Sequence, residues 1–165
     1  MVSLLGAVLA NTFLSHLEDT VISRSALFPD FYVRYLDDTF CVFSDESHVH
    51  QFLNFLNSVH PNLRFTVEEE VSGKLPFLDI SVERKGSSSE LSVYRKSVFK
   101  GLYFHFSSFI PSSYKTGLIS TTLSRSFKIG STWKLFTDEV EIITGFLKKN
   151  GFPSHMSSGR VCVSL

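Results

Sequence analysis

Asp37 and Asp38 stand side by side between two runs of β-branched and aromatic residues, Phe31 to Tyr35 and Thr39 to Phe43. Such runs predict a β-hairpin with both carboxylates at its tip. Adjacent like charges repel, and neither tolerates burial unpaired, so the pattern calls for an offsetting cation. A divalent metal supplies one: nucleotidyl transfer uses two Mg²⁺ or Mn²⁺ ions roughly 3.5 to 4 Å apart, held by carboxylates on a rigid element. The tetrad Tyr35-Leu36-Asp37-Asp38 is too short to carry that reading alone, and its weight comes from the elements around it.

A second set of residues points to phosphate. From Tyr94 to Lys115 the chain interleaves Arg95, Lys96, Lys100 and Lys115 with Tyr103, Phe104, His105 and Phe106, side chains that neutralise phosphates and stack on bases. Arg125 and Lys128 extend the cationic series. The formal charge is zero overall, yet residues 1–83 hold four Lys/Arg against twelve Asp/Glu, and residues 84–150 hold eleven against four. An acidic half beside a basic half suits a carboxylate metal site next to a surface that tracks phosphates. Other chemistries lack their residues. His48 and His50 lie two apart on different faces of a predicted helix, and no His, Cys or Gly spacing makes a zinc site, a nucleophile triad or a phosphate loop. Cys41 and Cys162 form no disulfide framework, which fits a reducing intracellular compartment.

The elements that must hold these groups follow from periodicity. Leu5, Leu9, Phe13 and Leu17 recur every four residues and predict a helix over 4–18 with one apolar stripe. No basic residues precede it, so it does not read as a signal peptide, and no apolar stretch approaches the roughly 20 residues that cross a bilayer. After the hairpin, Ser44 predicts the N-cap of a helix that buries Val49, Phe52, Leu53 and Leu56 and ends at Pro61. Strands are expected over Leu63 to Val67, Leu75 to Val82 and Leu91 to Tyr94, with a Ser72-Gly73 turn and a loop at Lys85 to Glu90. From Pro111 the period changes. Ile119, Leu123 and Phe127 mark a helix over 113–128; Phe136, Val140, Ile143 and Leu147 mark another over 134–149, stopped by Asn150-Gly151. Two helices joined by a short Gly-containing turn have the form of a helix-turn-helix on DNA, although Asp138, Glu139 and Glu141 disfavour the second as a recognition helix. The expected fold class is α+β, antiparallel strands with packed helices and then a small helical subdomain.

Five ordered stretches resemble the reverse transcriptases of Penelope-like retroelements, across roughly residues 1 to 153. "MVSLLGAVLANTF" resembles the motif that contacts template and nucleotide, with Ser3, Leu5, Gly6, Ala10, Asn11 and Phe13 in matching places, while Val2, Leu4 and Ala7 replace its usual Gly and two Pro. "YVRYLDDTF" is similar to the catalytic motif and "FLNFLNSVHPNLRFTVEEE" to the helix and strand after it. "GKLPFLDI" is similar to the primer-grip turn, and "VYRKSVFKGLYFHFSSFIPSSYKTGLI" to the run into the thumb. The resemblance implies a partial polymerase palm over 1–96, a connector over 97–111, a thumb-like or helix-turn-helix-like segment over 112–153 and a loose tail over 154–165. It implies Asp37 and Asp38 as catalytic, metal-binding carboxylates, for Mg²⁺ or Mn²⁺. Ser3, Gly6, Asn11 and Tyr35 would sit at template or nucleotide, and Phe77, Leu78 and Asp79 at the primer. Arg64 stands where many relatives carry a Lys. The implied partners are an RNA template, a DNA primer and a dNTP, met in the nucleus. In that family a further catalytic Asp and the fingers precede this segment, so the implied function is a fragment of an RNA-directed DNA polymerase that does not polymerise alone. The alternative is a nucleic-acid-binding helix-turn-helix module without catalysis.

Overall fold

The computed structural model describes residues 4–154 and is mixed α+β. The chain divides into two compact units, one reaching to Glu69 and the other starting at Glu70.

The first unit contains α1 (Leu4–Thr20), β1 (Phe31–Tyr35), β2 (Asp38–Val42) and α2 (Ser47–Val59). β1 and β2 pair antiparallel from Phe31↔Val42 to Tyr35↔Asp38. Side chains alternate along β1: Tyr32 and Arg34 turn inward, while Phe31, Val33 and Tyr35 are exposed. The buried core is Ile22, Phe52 and Leu56, with Leu17, Leu27, Tyr32, Cys41, Phe43, Phe55 and Phe65 packed around it. Phe52 and Leu56 are one helical turn apart, as the spacing of α2 requires.

Three expectations are corrected in this unit. The stripe on α1 is used at its C-terminal end alone: Leu17 joins the core, whereas Leu5 and Leu9 are 66% and 60% exposed. Ser44 does not cap α2, because its hydroxyl donates to Asp30 at 2.6 Å; the helix starts at Ser47, whose N–H is taken by the Asp45 carboxylate at 2.8 Å. Leu63 to Thr66 alternates inward and outward, Val67 is exposed as well, and the stretch forms no strand. The reason is local. The Asn57 side chain accepts from the Phe65 N–H at 2.7 Å and donates to the Phe65 carbonyl at 3.2 Å, so one amide takes the place of a neighbouring strand.

The second unit begins with an antiparallel sheet of β3 (Lys74–Phe77), β4 (Ile80–Lys85) and β5 (Ser88–Val93), in that order. The single strand expected over Leu75 to Val82 is therefore two strands folded at Leu78-Asp79, and the expected Lys85-to-Glu90 loop is mostly ladder, from Lys85↔Ser88 onward. Ser72-Gly73 turns as expected, with Val71 and Lys74 exchanging both backbone bonds. Two helices follow, α3 (Ser112–Ile129) and α4 (Trp133–Lys149). Ile143, Leu147 and Phe152 form their buried centre, against Leu118, Ile119 and Leu123 of α3 and Phe104 and Phe106 of the preceding loop. Phe127 departs from the expected face and is largely exposed, touching the rim of buried Phe136 edge-on. The connection between the helices is fastened to β5: Ser131 donates its N–H to the Leu91 carbonyl at 3.1 Å, and its hydroxyl accepts the Leu91 N–H at 2.9 Å. No described helix is long and apolar enough to cross a membrane.

Candidate nucleic-acid interface

The carboxylate turn is built by Arg34. Its guanidinium donates to the Glu18 carboxylate at 2.6 and 2.9 Å, to the Asn11 side chain at 2.9 Å, to the Ser15 hydroxyl at 3.0 Å and to the Leu36 carbonyl at 2.8 Å. One side chain thus fastens the hairpin tip to α1. Leu36 and Asp37 are the two turn residues, and Leu36 sits at φ 57°, the left-handed region a hairpin of this length asks for. Asp37 and Asp38 are both exposed, and Tyr35 beside them is exposed as well. Asn11 is engaged with Arg34, Gly6 lies on the exposed first half of α1, and Ser3 falls outside the described residues. Arg64 is exposed.

Two carboxylates do not complete a metal centre. Among the described residues no group of three or more His, Cys, Asp or Glu comes together around one point. Asp37 and Asp38 offer donors of the right hard-oxygen type, and the remaining ligands of a Mg²⁺ or Mn²⁺ ion would have to come from elsewhere.

A second turn repeats the first. Phe77-Leu78-Asp79 folds β3 onto β4 with Leu78 at φ 54°, so both aromatic-Leu-Asp sequences of the chain make two-residue turns with Leu in the left-handed region. Asp79 is anchored on the second unit's own helix: its carboxylate pairs with Arg125 at 3.3 Å, and its carbonyl accepts from Arg125 at 3.4 Å and from the Tyr94 N–H at 2.9 Å. Phe77, Leu78 and Asp79 therefore share the tip of one hairpin, and Arg125 is held beside them.

The predicted phosphate contacts separate into engaged and open cations. Arg95 makes a two-pronged ion pair with Glu139, whose side chain is 8% exposed, so it neutralises a buried carboxylate of α4 and does not sit at the surface as a free phosphate contact. That hydrogen bond holds the Arg95 guanidinium above its ordinary range. Lys115 lies over the Phe106 ring at 4.8 Å. Lys96, Lys100 and Lys128 are exposed, and none has an ion-pair partner among the described residues. Lys134, Lys148 and Lys149 are in the same state, though they were not among the expected contacts.

Asn150 was also missed as a positioning residue, having been read as a helix stop. Its side chain donates to the Gly101 carbonyl and to the Phe146 carbonyl, both at 2.8 Å, and accepts from the Tyr103 N–H at 3.1 Å, while its own carbonyl accepts from the Phe106 N–H at 2.8 Å. The aromatic loop from Gly101 to Phe106 is thereby stapled to the end of α4. Gly101 is required there: a Cβ would stand 2.1 Å from the Phe146 ring, and φ is 68°.

Residues 102–158 match the family model described as the animal helix-turn-helix domain. The match covers the aromatic loop, α3 and α4 and less than half of the chain; it does not reach the turn that bears Asp37 and Asp38. No curated protein and no solved structure matches the chain.

Proposed function

We propose that this chain is a nucleic-acid-binding protein whose contact is made by α3, α4 and the loop before them. The observation that carries the reading is the helix-turn-helix match over residues 102–158. The helices it covers display Lys128, Lys134, Lys148 and Lys149 without ion-pair partners among the described residues. Glu139, one of the acidic residues that weighed against α4 as a binding helix, is removed from that balance by Arg95. Phosphate neutralisation makes affinity fall with salt along a log–log line. Fluorescence anisotropy with labelled single- and double-stranded 20-nucleotide DNA is expected to give such a line; no binding at 50 mM salt, or a slope near zero, would reject the reading.

A second, narrower reading is that the first unit descends from the palm of a reverse transcriptase, with the parent protein acting on RNA template, DNA primer and dNTP in the nucleus. It is favoured by the hairpin that Arg34 locks to α1 with Asp37 and Asp38 at its tip. In the parent, Asp37 and Asp38 would share Mg²⁺ or Mn²⁺ with a carboxylate from another strand. Alone, the chain is expected to extend no primer on oligo(dT)-primed RNA with either metal. Incorporation lost on Asp37→Ala would show that it polymerises unaided.

A further inference from the structure

We propose that the second unit carries a single-strand nucleic-acid site at the C-terminal end of α4, where Lys149 and Phe99 both lie against the Phe146 ring and Lys100 follows Phe99 in the preceding loop. The proposal rests on the nucleic-acid reading above and moves the contact away from the inter-helix turn, the corner that a helix-turn-helix ordinarily presents to duplex DNA.

The Phe99 ring stands edge-on to Phe146 with centroids 5.5 Å apart, and the Lys149 ammonium lies 5.8 Å from the same Phe146 ring. Lys100 is brought to this place by its neighbour Gly101, whose carbonyl is held by the Asn150 side chain at 2.8 Å. Lys96 joins from one turn earlier, since the Phe99 N–H donates to its carbonyl at 2.9 Å. Phe99 is 40% exposed, so one ring is offered to solvent with cations on either side of it in sequence.

Lysines in a last helical turn usually answer the helix's own unsatisfied carbonyls. At α4 three of those carbonyls are already taken. The Phe152 N–H donates to Leu147 at 3.0 Å, the Gly151 N–H to Lys148 at 3.0 Å and the Asn150 N–H to Phe146 at 3.1 Å, a Schellman closure with Gly151 at φ 77°. Of the three acids of α4, Glu139 is consumed by Arg95, and neither Asp138 nor Glu141 makes an ion pair with a lysine among the described residues. Lys96, Lys100, Lys148 and Lys149 therefore have no carboxylate to neutralise among the described residues, and backbone phosphates are the anions that suit such a group. A duplex presents no open base face to an exposed ring; a single strand does, which selects the single strand as the ligand.

The test uses the full chain and a fluorescein-labelled dT20 oligonucleotide, with a 20-base-pair duplex as the second probe, read by anisotropy across a salt series. Lys100→Ala combined with Lys149→Ala is expected to weaken dT20 binding at least about 10-fold and to lower the log–log salt slope by about 1.4, which is about 0.7 for each phosphate no longer neutralised. Phe99→Leu keeps apolar packing on Phe146 but removes the stacking face; it is expected to cost about 5-fold or more with the slope unchanged. Lys100→Arg with Lys149→Arg should restore the slope. Lys74→Ala, in β3 and already paired with Glu83 at 3.1 Å, should leave dT20 binding within about 2-fold. Parent-like dT20 binding by the Lys100/Lys149 and Phe99 variants, or an equal weakening by the Lys74 variant, overturns this site while leaving the nucleic-acid reading intact. Failure of the parent chain to bind either probe removes that reading and this site together.

Discussion

Arg34 shows how much one side chain decides. Its bonds to Glu18, Asn11, Ser15 and Leu36 join α1 to the hairpin that presents Asp37 and Asp38. Arg34→Ala leaves Glu18 without its charged partner and is expected to destabilise the first unit by about 2 to 3 kcal/mol. Far-UV circular dichroism in urea should report an earlier transition, while fluorescence of the single tryptophan, Trp133 in the second unit, should not move. Burial pushes the Glu18 carboxyl up, but the hydrogen bonds from Arg34 and Tyr32 and the charge of Arg34 outweigh it, so the group lies below its ordinary value of 4.5. A carboxyl lowered on folding contributes stability that is complete above the ordinary value and drains as pH falls through the folded-state value. The melting temperature of the first unit is therefore expected to fall below about pH 4.5, and Glu18→Gln should flatten that part of the profile. Cys41 illustrates the opposite environment. Burial pushes its thiol up to about 11. At pH 8 the thiolate is then about a thousandth of the population, and iodoacetamide labelling in a Cys162→Ser chain should be far slower folded than in urea. Equal rates would contradict the burial of Cys41 in that core.

At the scale of elements, the two aromatic-Leu-Asp turns are the most informative repeat. A non-glycine residue in the left-handed region costs roughly 1 kcal/mol, and Leu36 and Leu78 both sit there. Leu78 is 44% exposed, so replacing it surrenders only part of the packing that a core leucine would. Leu78→Asn, a residue that tolerates this conformation, is expected to stabilise the second unit by about 0.5 to 1 kcal/mol, read as a later urea midpoint of Trp133 fluorescence. A lower midpoint would mean that the Leu78 side chain is needed by the sheet. The same scale explains why the stretch over Leu75 to Val82 reads as one strand in sequence. Leu and Asp interrupt neither hydrophobicity nor alternation strongly enough to mark a turn, and glycine, the usual signal, is missing from the position that needs it.

For the molecule as a whole, the helix pair is inseparable from the sheet before it. The helix-turn-helix match begins at residue 102, but Glu139 within it is neutralised by Arg95 outside it, and the inter-helix turn hangs on Leu91 of β5. Cutting at residue 102 leaves a buried carboxylate unpaired, at a cost of about 3 to 5 kcal/mol. A fragment of residues 70–154 is expected to keep the Trp133 melting transition of the full chain, and one of residues 102–154 to lose it. A cooperative transition in the shorter fragment would show that Arg95 and β5 are dispensable. Residues 70–154 hold twelve Lys/Arg against seven Asp/Glu, so the longer fragment also retains the electrostatic basis for binding phosphate.

Sequence by itself determined the α+β class, the placing of α2, α3 and α4 to within a few residues, the Asp37-Asp38 hairpin and the change from acidic to basic composition. Each of these depends on local periodicity, turn chemistry or charge, which neighbouring residues carry among themselves. Tertiary structure alone decided which cations are open. Arg95 and Lys100 look alike in sequence, yet a carboxylate 44 residues away engages the first, while a carbonyl held by Asn150 places the second at the surface beside Phe99. It also decided that Asn57 replaces a strand and that α1 leaves its first turns uncovered. The physical reason is common to all of these. A side chain's partner is chosen by packing between segments distant along the chain, and no spacing within one segment encodes it.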